Sequence, residues 1–120
     1  MPTTNQLISA QTLTSTASSV TFSSIPQTFT DLQLLVSMRT SQANINGSMK
    51  LQLNGSTTSY SGIEIQSSGT GVGSNSRGVT NSGLFTGDVN GNTSTANTFS
   101  NFSIYIPNYT SANKIGRAHV

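Results

Sequence analysis

Apolar and polar residues alternate along most of this chain with a period of two, not the period near 3.6 that marks a helix. The clearest alternation covers residues 30–39, where Leu32, Leu34, Val36 and Met38 share one side of the backbone. Such a pattern predicts a β-strand that buries one face and exposes the other. Because no segment has a sustained helical repeat, we predict an all-β chain.

Further segments alternate in the same way and are separated by proline, glycine and asparagine. Strands are predicted at residues 6–13, 18–24, 49–53, 60–66, 84–85 and 98–106. Pro26 and Pro107 end two of them, since proline cannot donate to a ladder, and Asn46-Gly47 and Asn54-Gly55 are turn signals. The glycine-rich residues 67–83 are predicted to form a long loop.

Short antiparallel strands that each bury one face must stack in two layers, so we predict a jelly-roll-like β-sandwich. Residues 1–114 would form this single domain. The predicted inward set is Val20, Phe22, Leu32, Leu34, Val36, Met38, Met49, Leu51, Leu53, Ile63, Ile65, Phe102, Ile104 and Ile106. This core is thin for the ordering entropy of such a chain, so subunit contacts are expected to add stability and a homo-oligomer is predicted.

Composition narrows the function classes. Charged residues are 7% of the chain, against about 25% in a typical soluble domain, and Ser and Thr make up 39 of 120 residues. The five basic residues are scattered, which argues against nucleic-acid binding. There is no cysteine for a disulfide or a thiolate site. Neither a signal peptide nor an apolar run long enough for membrane insertion is apparent, so neither is expected.

The residues that could carry chemistry do not form a recognisable site. The carboxylates Asp31, Glu64 and Asp88 fall in separate segments, so the sequence does not pair them for glycoside cleavage. Residues 88–92 begin like a calcium loop but lack its glycine and its closing glutamate, and an Asn/Gly turn is favoured. The glycine-rich stretch fits no phosphate-binding pattern. We therefore predict a non-enzymatic protein without cofactor or metal.

Binding residues are harder to assign. If the chain holds a ligand, Arg77 in the glycine-rich stretch is the first place to look, because binding residues favour long loops on rigid scaffolds. Tyr60, Tyr105 and Tyr109 could stack on sugar rings, although scattered tyrosines more often complete a core or an interface.

Two sequence blocks carry a resemblance to a known group. The blocks IPQTFTDL (residues 25–32) and YIPNYTS (residues 105–111), with the NGS turns between them, resemble small structural proteins of tailed bacteriophages. The resemblance covers most of residues 5–113. It implies a β-sandwich component of a virion, in a tail, a fibre or a surface decoration, and it brings no catalytic residues. Relatives continue after the second block with further strands, so the sandwich is expected to lack its C-terminal strands here.

The last six residues, IGRAHV, differ from the rest of the chain. Residues 115–120 contain Arg117 and the only histidine, His119. Their back-translation matches a widely used sequencing adapter read in frame, so we interpret them as an artefactual tail and exclude them from functional reasoning. The other interpretation is a genuine C-terminus with one basic turn.

The sequence thus leaves two main functional hypotheses. The first is a structural virion component whose partners are further copies and other virion proteins. The second is a receptor- or carbohydrate-binding module at a fibre tip that contacts host-surface glycans. A depolymerase enzyme is the least supported class.

Overall fold

The computed structural model describes residues 5–67, 69–80, 82–111 and 117–119, with side chains for all of these except residues 77–80 and 117–119. Seven strands and no helix occur in these ranges, which confirms the all-β prediction. The strands are β1 (Leu32–Met38), β2 (Asn46–Leu51), β3 (Tyr60–Ser67), β4 (Val72–Thr80), β5 (Leu84–Asn90), β6 (Ser100–Ile106) and β7 (Arg117–His119). Within the described part of the chain, no helix has the length and apolarity that a membrane crossing requires.

The strands pair antiparallel in three small sheets. One sheet has the order β1-β6-β7, a second joins β2 to β5, and the third is the hairpin of β3 and β4. In the first sheet Leu34 lies opposite Ile104 and Val36 opposite Phe102, so the apolar positions of two distant segments fall on one face. The short β7, within the C-terminal hexapeptide, pairs with the other edge of β6.

The core lies against the inner face of β6. Ile104, Ile106 and Tyr109 form its buried centre. Half-buried apolar side chains from three other parts of the chain pack on that centre: Ile25, Phe29, Leu32, Leu34, Met49, Leu51 and Leu53. The predicted inward faces of β1, β2 and β6 are therefore confirmed.

The two predicted N-terminal strands are absent. Residues 6–13 and 18–24 form no strand, and Val20 is largely exposed while Phe22 is half-buried. Among the residues that the structure describes, none of residues 5–24 forms a hydrogen bond. A strand needs a neighbouring backbone to pair with as well as alternating side chains, and no described strand pairs with this segment. We call residues 5–24 the N-terminal arm.

The prediction for residues 60–83 is wrong in two respects. The glycine-rich stretch is not one long loop, because residues 72–80 form β4 and pair with β3. Ile63 and Ile65, predicted to face inward, are exposed, and Glu64 is half-buried instead. The alternation fixed which residues share a face but could not decide which face meets the core.

The molecule exposes much surface for its size. Its solvent-accessible area is 9028 Å², whereas a compact monomer of this mass has about 6,200 Å². The radius of gyration is 15.6 Å, against about 14 Å expected for a compact domain of 120 residues. The described hydrophobic side chains that are buried are Val89, Phe102, Ile104, Ile106 and Tyr109, and of these Val89 and Ile104 are fully buried. The core is as small as the sequence predicts.

Candidate interaction surface

The three carboxylates lie on different elements. Asp31 lies directly before β1, Glu64 lies in β3 and Asp88 lies in β5, and these strands belong to three different sheets. Among the described residues, no group of three potential metal-ligating side chains comes together.

Asp31 has a structural role. Its two carboxylate oxygens accept hydrogen bonds from the Tyr105 hydroxyl, at 2.5 Å, and from the Asn108 backbone N–H, at 2.7 Å. The Tyr105 bond, followed by the Asn108 bond, lowers the pKa of Asp31 below its usual value. The bond to Asp31 in turn raises the pKa of Tyr105, with smaller effects from burial and from the carboxylate charge. The pair ties the start of β1 to the turn after β6.

Arg39 braces the loop between β5 and β6. Its guanidinium donates to four backbone carbonyl oxygens of residues 92–98, namely Asn92, Ser94, Thr95 and Thr98, at 2.6–3.3 Å. Ser94 and Thr98 side chains bond back to the loop as well. Asp88 and Asn90, which open the calcium-like stretch, lie in β5, so the Asn/Gly turn predicted over residues 88–92 is wrong for residues 88–90, and the chain turns only after β5.

The tyrosine hydroxyls are all used within the chain. Tyr60 donates to the Ser56 carbonyl at 3.0 Å and accepts from the Leu53 N–H at 2.9 Å. Tyr109 is buried in the core and donates to the Pro26 carbonyl, so it offers no face for stacking on a sugar. Of the three tyrosines, Tyr105 is exposed to solvent. Core completion therefore explains Tyr109, and local bracing explains Tyr60.

The feature that stands out is an exposed apolar face on the β3–β4 hairpin. Ile63 and Ile65 are 83% and 77% exposed on β3, and Val72 is 79% exposed on β4. The register places Ser67 opposite Val72 and Ser74 opposite Ile65, so these three apolar side chains share one side of the hairpin. We call Ile63, Ile65 and Val72 the hairpin face.

The hairpin face is apolar, uncharged and open. Its remaining positions are serines, Ser67, Ser74 and Ser76. A shallow depression lies at the hairpin tip and is lined by Gln66, Ser67, Gly71, Val72 and Gly73. Large exposed apolar patches on soluble proteins mark contact surfaces, whereas single exposed residues need no explanation. The hairpin face is therefore the best candidate for a functional surface in the described chain.

Arg77, the first candidate for ligand binding in the sequence, belongs to this hairpin. Its backbone pairs with Gly62, but its side chain lies outside the described residues. The side chains of Arg117 and His119 also lie outside them. One signal for the hairpin face was present in the sequence, because the glycine-rich stretch supplies serines, Ser76 and Ser74, and not apolar residues opposite Ile63 and Ile65.

The two blocks that carry the resemblance contact each other in the fold. Asp31 of the first block binds Tyr105 and Asn108 of the second, and Pro26 accepts the bond from Tyr109. Searches of protein-family profiles, curated proteins and solved structures found no significant match to this chain.

Proposed function

We propose that this chain is a non-enzymatic structural component of a tailed-phage virion, acting in a tail, a fibre or a surface decoration. In this proposal the small sheets belong to a jelly-roll-like β-sandwich that neighbouring subunits complete. The protein works by presenting sheet faces and loops to further copies and to other virion proteins. Its location would be the assembled particle.

The observation that carries this proposal is the imbalance between core and surface. The accessible area exceeds that of a compact monomer by about 2,900 Å², while only five of the described hydrophobic side chains are buried. A surface rich in hydroxyl and amide groups, with an uncharged apolar face, suits permanent subunit contacts better than a freely diffusing enzyme.

Quantitative mass spectrometry of purified particles from a phage that encodes this chain tests the proposal. We expect the chain in many copies per particle, at a fixed ratio to the major capsid protein, after density-gradient purification. Its absence from particles, with the chain recovered instead in the soluble lysate, would overturn the proposal.

The second candidate is a receptor- or carbohydrate-binding module. Glycan-array binding by the full chain, lost on Arg77→Ala or Tyr60→Ala and retained on Lys50→Ala, would favour it. Lys50 is a matched control because it is a cation on β2, in a different sheet from the hairpin. Absence of glycan binding by a chain that is abundant on particles would favour the structural role.

A further inference from the structure

Two apolar features of this chain lack a partner within the described structure. One is the hairpin face. The other is the N-terminal arm, which forms no hydrogen bond among the described residues and exposes Leu7, Leu13 and Val20, with Leu7 79% exposed. Alternating residues 18–24 have the pattern of a strand without a neighbouring strand. The arm has no described neighbouring strand to pack on, and the hairpin face has no described apolar segment to cover it, so each could serve as the partner of the other.

The arm has the length to reach a second molecule. It leaves the core at Ile25, which packs against the Ile104 cluster. Twenty residues at full extension span about 66–72 Å, whereas the longest dimension of the molecule is 43 Å. An arm anchored at one copy can therefore extend across the hairpin of a neighbouring copy.

Both surfaces are uncharged, which suits contact with a second copy of the same chain. The arm contains no charged residue, and the hairpin face consists of apolar side chains and serines. Neither surface offers the charge pattern that selects a different, charged partner. Two copies that exchange arms satisfy both surfaces at once by the same contact, as a closed two-fold assembly requires.

The area is sufficient for such an assembly. A stable interface buries about 800 Å² on each partner. The excess surface of this chain, about 2,900 Å² over a compact monomer, covers that requirement several times. Covering the arm and the hairpin face together would remove many of the most exposed apolar side chains of the described chain from water, among them Leu7, Ile63, Ile65 and Val72.

We propose that the N-terminal arm of one copy packs on the hairpin face of a second copy. The inference rests on the proposed structural role, and it names the surface through which copies associate. Apolar burial supplies the association energy, and the arm becomes ordered against β3 and β4 as it binds.

Cysteine cross-linking tests the contact directly, because the chain has no cysteine of its own. Full-length Leu7→Cys, Leu13→Cys and Val20→Cys are each mixed with full-length Ile65→Cys under mild oxidation. We expect at least one arm variant to form a disulfide-linked heterodimer. The matched control is Leu35→Cys, a 71% exposed leucine on the outward face of β1, which is expected to stay uncross-linked.

Sedimentation velocity of the cysteine-free chain measures the energetic contribution. Ile65→Ser is expected to weaken self-association at least tenfold, and Leu35→Ser to leave it unchanged. Circular dichroism checks that both variants keep the β-sheet spectrum. Equal cross-linking of the arm to Leu35→Cys, or a dimer that Ile65→Ser does not weaken, overturns the proposal.

Two further outcomes are informative. The double variant Val20→Cys/Ile65→Cys distinguishes arm exchange between copies from an arm that folds back on its own chain. If it forms only intramolecular disulfides, at high dilution and at high concentration alike, the arm folds back and the exchange between copies is overturned. If particles contain the chain but the arm does not cross-link, this inference fails while the proposed function stands. If the arm cross-links but the chain is absent from particles, the proposed function fails while this inference stands.

Discussion

The hydroxyl of Tyr109 donates a hydrogen bond to the backbone carbonyl of Pro26, a residue that precedes it by 83 positions. The ring of Tyr109 belongs to the buried centre on which Ile25 and Phe29 pack. This contact fastens the segment before β1 to the turn that follows β6. It also fixes the point from which the N-terminal arm leaves the core.

Removing this hydroxyl should destabilise the fold measurably. Tyr109→Phe leaves the Pro26 carbonyl without its donor, and we expect the free energy of unfolding to fall by about 1 kcal/mol. Tyr109→Ala also empties a buried site and should cost about 3–5 kcal/mol. Urea unfolding followed by circular dichroism measures both. Phe99→Ala, at an exposed aromatic, is the control; a loss equal to that of Tyr109→Ala would contradict the assignment.

The bond between Asp31 and Tyr105 predicts a pH dependence of stability. The folded-state pKa of Asp31 is lowered, so its contribution is present above the unfolded pKa and is lost as pH falls through the folded pKa. The folded-state pKa of Tyr105 is raised, so its contribution is present below the unfolded pKa and is lost as pH rises through the folded value.

Melting temperatures across the pH range test this pair. We expect the wild-type Tm to fall at acid pH below about 4 and at alkaline pH above about 10. Asp31→Asn should reduce the fall of Tm at acid pH, and Tyr105→Phe should reduce the fall of Tm at alkaline pH. Asp88→Asn is the control, since Asp88 is an exposed carboxylate on β5. A fall of Tm at acid pH that Asp31→Asn leaves unchanged would refute the role of this bond.

Arg39 should control the order of the loop between β5 and β6. Its half-buried guanidinium holds four carbonyl oxygens in a fixed fork, which the ammonium of lysine cannot reproduce. Arg39→Lys should speed amide hydrogen exchange in residues 92–98, and Arg39→Ala should lower the free energy of unfolding by about 2–3 kcal/mol. Lys50→Ala, an exposed cation on β2, is expected to change neither. Unaltered exchange in Arg39→Ala would exclude the bracing role.

Gly91 is required where the chain after β5 crosses the segment before β2. Its N–H donates to the Ile45 carbonyl at 2.7 Å. A Cβ at this position would lie far inside van der Waals contact with the Asn44 carbonyl oxygen, which is backbone and cannot swing aside. Gly91→Ala should therefore lower the free energy of unfolding by about 1–3 kcal/mol. Gly71→Ala is the matched control because its Cβ would meet open space, and comparable Tm values for the two variants would disprove the clash.

Several features were determined by the sequence itself. The alternation of Leu32, Leu34, Val36 and Met38 predicted β1 and its inward face, and the same pattern in residues 98–106 predicted β6. Local side-chain alternation suffices there because both strands have apolar residues opposite each other across the pair. The pattern and the composition also predicted the small core and the lack of helix among the described residues.

Only the tertiary structure decided which alternating segments find a partner and which face they bury. Residues 18–24 of the N-terminal arm and β3 alternate as β1 does. Residues 18–24 nevertheless pair with no described strand, and β3 pairs with a serine- and glycine-rich strand that offers Ile63 and Ile65 no apolar partner. The links between Asp31 and Asn108, and between Pro26 and Tyr109, span more than 75 residues. Such contacts depend on how distant segments dock, and a period of two along the chain contains no information about that docking.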